Sequence, residues 1–548
     1  MKHLPALLIV LLLSLTTLSK LIAQDLESTI DKLLSEKYQP GEPGATALVA
    51  RNGQVLYRKA FGLANLELGT PMRPENVFEI GSITKQFTAV SVLMLLEEDK
   101  LSLNDEITKY LPDYPTHGKT ITIHHLLNHT SGIKSYTGMR EFRTKARTDM
   151  TPVELIDFFK NEPMDFGPGD AYRYNNSAYI ILGHIIEIVS GISYADFVES
   201  RIFKKLGMKN SLYGSKTKLI KNRAYGYQPA AEGYSNAEYL SMSLPYAGGS
   251  LMSCVDDMLL WQRALHNNIL ISEESKKLAF TNYTLNNGKA INYGYGFSVD
   301  EISGIPSIEH GGGIFGYETY GVYVPEEDVY VIILSNRNGN GPTDVTVEIA
   351  AHAMGKPLPS REAVSLSEEQ MKKWLGTYQF SDDVLRYVTF EDGQMYSQRE
   401  GSSKLKIYPV SANRFYFEGS TTNYTFSIKE GKKQALFGSR INREMGYEST
   451  KKQAAEKKSI SLGASVLKRY VGTYALQPGF DIVITSEENQ IFAQATGQPK
   501  FELYAEDETN FFLKAVNASI EFKLNDNGVY DSMVLTQGGQ TIEGVRSK

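Results

Sequence analysis

The sequence predicts an α/β domain followed by two small antiparallel β domains, and three observations predict it. Residues Leu26 to Met354 mix amphipathic helices with apolar strands, interrupted only by short turn-rich breaks. Helical patterning stops at Gly355-Lys356-Pro357-Leu358-Pro359-Ser360, beyond which Tyr, Phe, Thr and Val dominate with turn residues at short intervals. Within that second part, Trp374-Leu375-Gly376-Thr377-Tyr378 is answered by Tyr470-Val471-Gly472-Thr473-Tyr474, and Asn413-Arg414-Phe415-Tyr416-Phe417 by Thr509-Asn510-Phe511-Phe512-Leu513, both at an offset of 96 residues. One small β fold written twice is the reading. The expected division is an N-terminal segment 1–23, a first domain 24–355, a linker 356–365, a β repeat 366–450, a Lys- and Ala-rich linker 451–459 and a second repeat 460–548.

Taken in chain order, Met1-Lys2-His3 precedes an apolar run from Leu7 to Leu13 that continues more weakly to Ala23, the layout of a cleavable secretory signal processed near Gln24. An uncleaved anchor is the alternative, but the apolar run is short of the ~20 residues that a bilayer span takes. No Cys sits near the cleavage point to carry a lipid, and after Ala23 no stretch approaches ~18 uninterrupted apolar residues. An exported protein, periplasmic or extracellular, is expected, with no stable membrane insertion once the signal is removed.

Glu79 to Glu98 carries Phe87, Val90, Val92, Leu93, Leu95 and Leu96 around most of its circumference, which predicts a buried helix opened by Gly81-Ser82. A turn-rich stretch from Phe166 leads into a second helix from about Ala178 to Ser190. Tyr317 to Val324, the turn Pro325-Glu326-Glu327-Asp328 and Val329 to Leu334 read as an antiparallel hairpin. The 57 basic and 63 acidic residues leave a net charge of −6, which gives no electrostatic basis for binding nucleic acid. The single cysteine, Cys254, excludes an intramolecular disulfide and a Cys-based metal site, and its apolar setting marks a buried, inert thiol. The composition is compatible with an oligomer.

For chemistry, a Ser with a Lys three positions later on a helix places an amine within reach of a hydroxyl. A desolvated Lys can take that proton at neutral pH, whereas an exposed one cannot. Six pairs have this spacing: Ser82/Lys85, Ser131/Lys134, Ser215/Lys218, Ser403/Lys406, Ser449/Lys452 and Ser465/Lys468. Only Ser82 follows a Gly and opens a long apolar helix, where backbone N–H groups and the helix dipole face the reacting centre. Gly311, Gly313 and Gly316 also fit G-x-G-x-x-G, but a strand follows them instead of a helix, which argues against a dinucleotide site. His125 and His129 lie four apart without the Glu after the first that the zinc-protease pattern needs. No metal site and no cofactor is expected.

Ser82-Ile83-Thr84-Lys85, Tyr174-Asn175-Asn176 and His310-Gly311-Gly312, in that order, resemble the three motifs of the penicillin-recognising serine hydrolases: class C β-lactamases, their peptidase relatives and related esterases. His125 to Gly132 and Gly248 to Ser253 are similar to that family's framework segments, and the C-terminal repeats resemble the lipocalin-like β barrels attached to some of its members. The resemblance implies an antiparallel sheet flanked by helices with an all-helical lobe, then two antiparallel barrels. It implies Ser82 as nucleophile, Lys85 and Tyr174 as the proton-handling pair and Asn176 as a donor to the substrate amide. The nearby amine is expected to lower the Tyr174 phenol pKa. Tyr234-Ser235-Asn236 has the same letters as the second motif in a polar, loop-like setting and ranks below it. His310, Gly312 and Gly313 are expected to bind substrate at a sheet edge, with the Gly313 and Ser82 N–H groups as an oxyanion hole.

The third motif departs from Lys-Thr-Gly, because His310 and Gly311 stand where a cation and a hydroxyl would meet a substrate carboxylate. The expected function is therefore an exported serine hydrolase acting on small peptides, D-amino-acid amides or carboxyl esters. A true β-lactamase or DD-peptidase is the alternative. An inactive protein that binds peptides or cell-wall fragments is the alternative from another class. The barrels read equally as a cap, an oligomerisation surface or a passive appendage.

Overall fold

Alternation of side chains gives every strand two faces, and in the inner strands of the central sheet both are buried. In Ala45–Arg51 (β1), Leu48 and Ala50 join one core while Ala45, Ala47 and Val49 join another. Five further strands complete the sheet: Gln54–Phe61 (β2), Ser298–Ile302 (β3), Ile305–Ile314 (β4), Tyr317–Val324 (β5) and Val329–Ser335 (β6). Their order is β3-β4-β5-β6-β1-β2, antiparallel throughout. β6 is central and buried along its whole length, as a strand covered on both faces must be.

This is a computed structural model, and it describes residues 24–547 apart from 140, 231, 381–383, 419, 452–458, 478–479, 497–499, 515–517 and 538–539. The expected signal 1–23 and residues 452–458 of the second linker lie outside the described residues. The chain divides into two compact units, Met1–Pro359 and Ser360–Lys548.

In the first unit, a helix over 24–37 and the helix Thr343–Ala353 cover one face of the sheet through Ile30, Leu34, Ile349 and Ala350. The other face packs on the helix Val255–His266 and on the turn Gly81–Ile83, which leads into Thr84–Glu97, hereafter the core helix, in which every residue from Thr84 to Leu95 is buried. A helix without a polar face can only be placed this way. Gly81-Ser82 opens this element as expected, though through a turn of 3-10 helix, Gly81–Ile83, before the α-helix begins. The hairpin expected from Tyr317 supplies β5 and β6. Tyr234-Ser235-Asn236 is a short strand paired with Tyr227–Pro229, and the Tyr234 phenol donates to Glu42 Oε2 at 3.0 Å. Among the described residues no single helix is long and apolar enough to cross a membrane.

The second unit holds two closed eight-stranded antiparallel barrels, one from Gly376–Gln379 to Asn442–Ser449 and one from Gly472–Gln477 to Gln540–Arg546. The fold class is thus the α/β domain with two all-β barrels that the sequence predicts. The repeat extends to single hydrogen bonds. Tyr378 donates its phenol to Trp374 O at 2.7 Å, and Tyr474 donates to Tyr470 O at 2.9 Å. Trp374 Nε1 donates to Ala412 O at 2.8 Å, and at the equivalent place the Tyr470 phenol donates to Glu508 O. An indole in one copy and a phenol in the other thus close the same loop. Tyr378→Phe would leave a buried carbonyl unpaired, so a loss of about 1–2 kcal/mol is expected in urea unfolding of the full chain, read through Trp374 fluorescence.

Candidate active site

The short strand Phe78–Glu79 pairs with Leu251–Ser253 and delivers the chain to Gly81. Gly81 has φ +52, and a Cβ there would lie 3.0 Å from Gly313 N and 3.2 Å from the Gly312 carbonyl carbon. Only glycine combines that dihedral with such an approach. The turn presents Ser82 at the rim while its neighbours Gly81 and Ile83 are buried.

One helical turn on, Lys85 is fully buried and donates to three acceptors: Ser82 Oγ at 3.1 Å, Asn176 Oδ1 at 2.8 Å and Gly248 O at 2.7 Å. Burial lowers its pKa to about 7. An amine held there is divided between charged and free forms near neutrality, which the Ser-x-x-Lys argument requires.

Tyr174 lies just before the helix Asn176–Ser190, whose N-cap Asn175 accepts from Ala178 N at 2.9 Å. Lys85 Nζ lies 4.8 Å from the centre of the Tyr174 ring, and Ser82 is near enough to the phenol to favour its ionised form slightly. The expected pKa shift is overturned: although Tyr174 is 36% exposed as a residue, its phenol is desolvated, and that loss of hydration raises its pKa by more than Ser82 lowers it. Asn176 directs its Oδ1 to Lys85, and its Nδ2 donates to Thr137 Oγ1 at 3.0 Å. The expected donor to substrate is therefore engaged by the protein at both ends.

The third motif lies along β4. Ladder partners on β3 end at Glu309, so from His310 to Gly313 one edge of β4 is open beyond its pairing with β5. His310 does not reach the cleft. It is 4% exposed, its Nε2 shares a 2.8 Å hydrogen bond with the Tyr293 phenol, and its Nδ1 lies 2.6 Å from Gly311 O. Burial and the Lys85 charge lower its pKa to about 4, so the imidazole is neutral far below the range expected for an open histidine. Gly312 also faces inward, where an added Cβ would lie 2.0 Å from Ile80 O and 2.3 Å from Thr319 Oγ1. Gly313 faces open space.

Ser82, Asn176 and Gly313 line a cleft of about 360 Å³ with Gly248, Thr137 and Asn338. Its apolar wall consists of Tyr136, Phe142, Leu240, Pro245, Ile314 and Phe315. Sequence reasoning had no role for the Gly248 carbonyl, although the adjacent Gly248-Gly249 pair was a signal of close backbone approach. It also missed the apolar wall, whose residues are scattered over five segments of chain.

The rival chemistries find other uses for their residues. His125 Nδ1 accepts from Thr122 N in a capping box, and His129, at φ 64, accepts from Asn175 N at 3.1 Å, so both imidazoles serve the backbone. Cys254 is buried, which pushes its thiol up to about 12. Among the described residues no group of three or more His, Cys, Asp or Glu side chains could hold a metal ion.

Residues 18–354 match the family model described as beta-lactamase, and residues 456–545 match a domain of unknown function, DUF3471. Penicillin-binding protein 4* of Bacillus subtilis is 27% identical over 534 residues, 95% of this chain and 98% of that protein. The D-aminopeptidase of Gluconobacter oxydans is 27% identical over 62% of this chain, which spans 63% of that protein. The octameric penicillin-binding protein homologue from Pyrococcus abyssi, 27% identical, shares the fold with a TM-score of 0.55 over 77% of this chain and 99% of its own.

Two outcomes follow from the geometry. Because Lys85 accepts a proton only as the free amine, kcat/KM for p-nitrophenyl acetate should rise with pH through an apparent pKa of about 7 and then level off. Gly312→Ala should drive β4 away from Ile80 and lower kcat/KM at least ~100-fold, the scale of losing one oxyanion donor, in protein whose circular dichroism is unchanged.

Proposed function

The chain belongs to the beta-lactamase family, a family of serine hydrolases, and we propose on that premise that it is an exported acyl-transfer hydrolase of short peptides, D-amino-acid amides or carboxyl esters. The observation that carries the reading is the 3.1 Å hydrogen bond from the buried Lys85 Nζ to Ser82 Oγ, with the Tyr174 ring 4.8 Å from the same amine.

The free amine of Lys85 takes the Ser82 proton as Oγ bonds to the substrate carbonyl carbon. The carbonyl π pair moves to oxygen, where the Ser82 and Gly313 N–H groups receive it. Tyr174 keeps its proton at rest, because burial raises its pKa. Its hydroxyl can therefore relay the proton from Lys85 to the leaving amine or alkoxide without itself being the base. Collapse expels that group and leaves an ester on Ser82. Water then repeats the sequence, using the same amine as base, and releases the acid.

Substrate class follows from what the site lacks at the third motif. His310 is neutral and turned inward, so the position offers no cation to a carboxylate. An apolar wall beside Ser82 suits an uncharged acyl group. Both features favour peptides, amides and esters over β-lactams. Relatives bearing the names penicillin-binding protein and D-aminopeptidase support acyl chemistry on small substrates. The N-terminal sequence supports export.

A fluorophosphonate probe should label the wild type and not Ser82→Ala, and the same change should lower p-nitrophenyl acetate hydrolysis at least ~10³-fold. Equal labelling of the two proteins would refute the mechanism. In a panel of nitrocefin, D- and L-amino-acid anilides and short esters, nitrocefin should rank last, and its ranking first would overturn the substrate class.

A further inference from the structure

Strand pairing puts the two barrels in register, position against position. Tyr378 faces Arg386 where Tyr474 faces Ile482. Val388 faces Ser397 where Ile484 faces Ala493, and Ile407 faces Phe417 where Leu503 faces Leu513. Tyr424 pairs with Phe437 as Ile520 pairs with Leu535. Phe380 and Leu476 correspond because each would meet a Cβ added at the matching glycine, Gly446 or Gly544.

The second barrel thus fills these six positions with Leu476, Ile482, Ala493, Leu513, Ile520 and Leu535, all in or against its apolar core. The first barrel places Phe380, Arg386, Ser397, Phe417, Tyr424 and Phe437 there. Its rings form one cluster, with centroids 5.7 Å apart for Phe417 and Tyr424, 5.9 Å for Phe417 and Phe437 and 5.0 Å for Tyr424 and Phe437. The Arg386 guanidinium lies 3.7 Å from the Phe437 centroid and its charge acts on the Tyr424 phenol, which shares a 2.7 Å hydrogen bond with Ser397 Oγ. Among the described residues no Asp or Glu forms an ion pair with Arg386. Ser397 and Tyr424 are buried, while Arg386, Phe417 and Phe437 each keep part of their surface, so the cluster opens to solvent at the guanidinium.

A cation at a core position that the sister barrel fills with isoleucine costs stability, and the aromatic face offsets only part of it. Such a breach of the local rule marks function. We propose that the first barrel is a binding site for a small organic anion with an apolar or aromatic body, its charged head on Arg386 and its body against Phe417, Phe437 and Phe380. The second barrel keeps its own aromatic rings, Tyr470, Tyr474, Phe511, Phe522 and Tyr530, but is aliphatic at these six positions and is the unliganded structural copy. This site is separate from the chemistry at Ser82 and stands whether or not that reading holds.

The test uses the full chain and two fluorescent probes of the same shape, 8-anilinonaphthalene-1-sulfonate, an anion, and N-phenyl-1-naphthylamine, which is neutral. The wild type should bind the sulfonate at least tenfold more tightly than the neutral amine. Arg386→Leu should weaken sulfonate binding at least tenfold, leave the amine unchanged and leave the melting temperature equal or higher. Phe437→Leu should weaken both probes. Sulfonate affinity that is absent in the wild type, or within twofold in Arg386→Leu, would overturn the proposal. So would a lowered melting temperature of Arg386→Leu with unchanged binding, which would make the arginine a structural residue.

Discussion

The burial of one amine sets the terms for the first domain. Among the described residues Lys85 has no carboxylate beside it; its three partners are a hydroxyl, a side-chain amide and a backbone carbonyl. Neutral acceptors solvate an ammonium only in part, so the charged form is destabilised and the pKa falls to about 7. Had a carboxylate replaced Asn176, the same geometry would hold a permanent cation and Ser82 would have no base. The need to keep that amine dry explains why the core helix has no polar face, and why the residues that face it from other elements are uncharged.

The three acceptors come from three parts of the chain, and the most distant is the best anchored. Thr88 Oγ1 donates to Ala247 O at 2.6 Å, Lys85 Nζ to Gly248 O at 2.7 Å, and Leu251 N donates to Thr84 Oγ1 at 3.1 Å. Consecutive turns of the core helix therefore hold the 247–251 segment along its length. Tyr246 enters that segment at φ 40, a left-handed conformation unfavourable for an aromatic residue, and its ring packs 5.3 Å from Tyr194. The Tyr194 phenol in turn lies 2.7 Å from Thr88 Oγ1. Backbone strain at Tyr246 is thus held in place by the same threonine that fixes the carbonyl beside Lys85.

What the sequence made legible follows range. Ser82, Lys85 and the helix they share are local, and Gly81 distinguished this pair from five others of equal spacing. The glycines of the third motif announced close backbone approach, and the structure gives each its reason: Gly312 against Ile80, Gly313 toward open space. The fate of His310 was not legible, because its neutrality depends on Tyr293 and on the depth of β4, both set by packing. The sign of the Tyr174 shift failed likewise: proximity to an amine can be inferred from motifs, but the competing loss of water depends on His129, 4.4 Å away, and Tyr293, 6.3 Å away, which come from other segments. The apolar wall of the cleft has no sequence signature at all.

The barrels show the same limit from the other side. Their identity as copies rests on letters that build the fold, Gly-Thr-Tyr at the first strand and an aromatic run at the fifth, and these survive at a fixed offset. The offset does not survive the whole repeat: Tyr424 pairs with Phe437 but Ile520 with Leu535, so the second copy has two extra residues in its sixth turn, and position-by-position comparison by number fails after it. Strand register restores the correspondence and reveals that conservation of the frame and divergence of the filling are separate. An eight-stranded barrel closes through its backbone and needs only enough apolar volume inside to exclude water. Its interior is therefore free to change from aliphatic to aromatic and cationic without disturbing the ladder. In this chain the two copies share aromatic cores but use that freedom differently at six inward positions, aromatic, cationic or hydroxyl in one and aliphatic in the other.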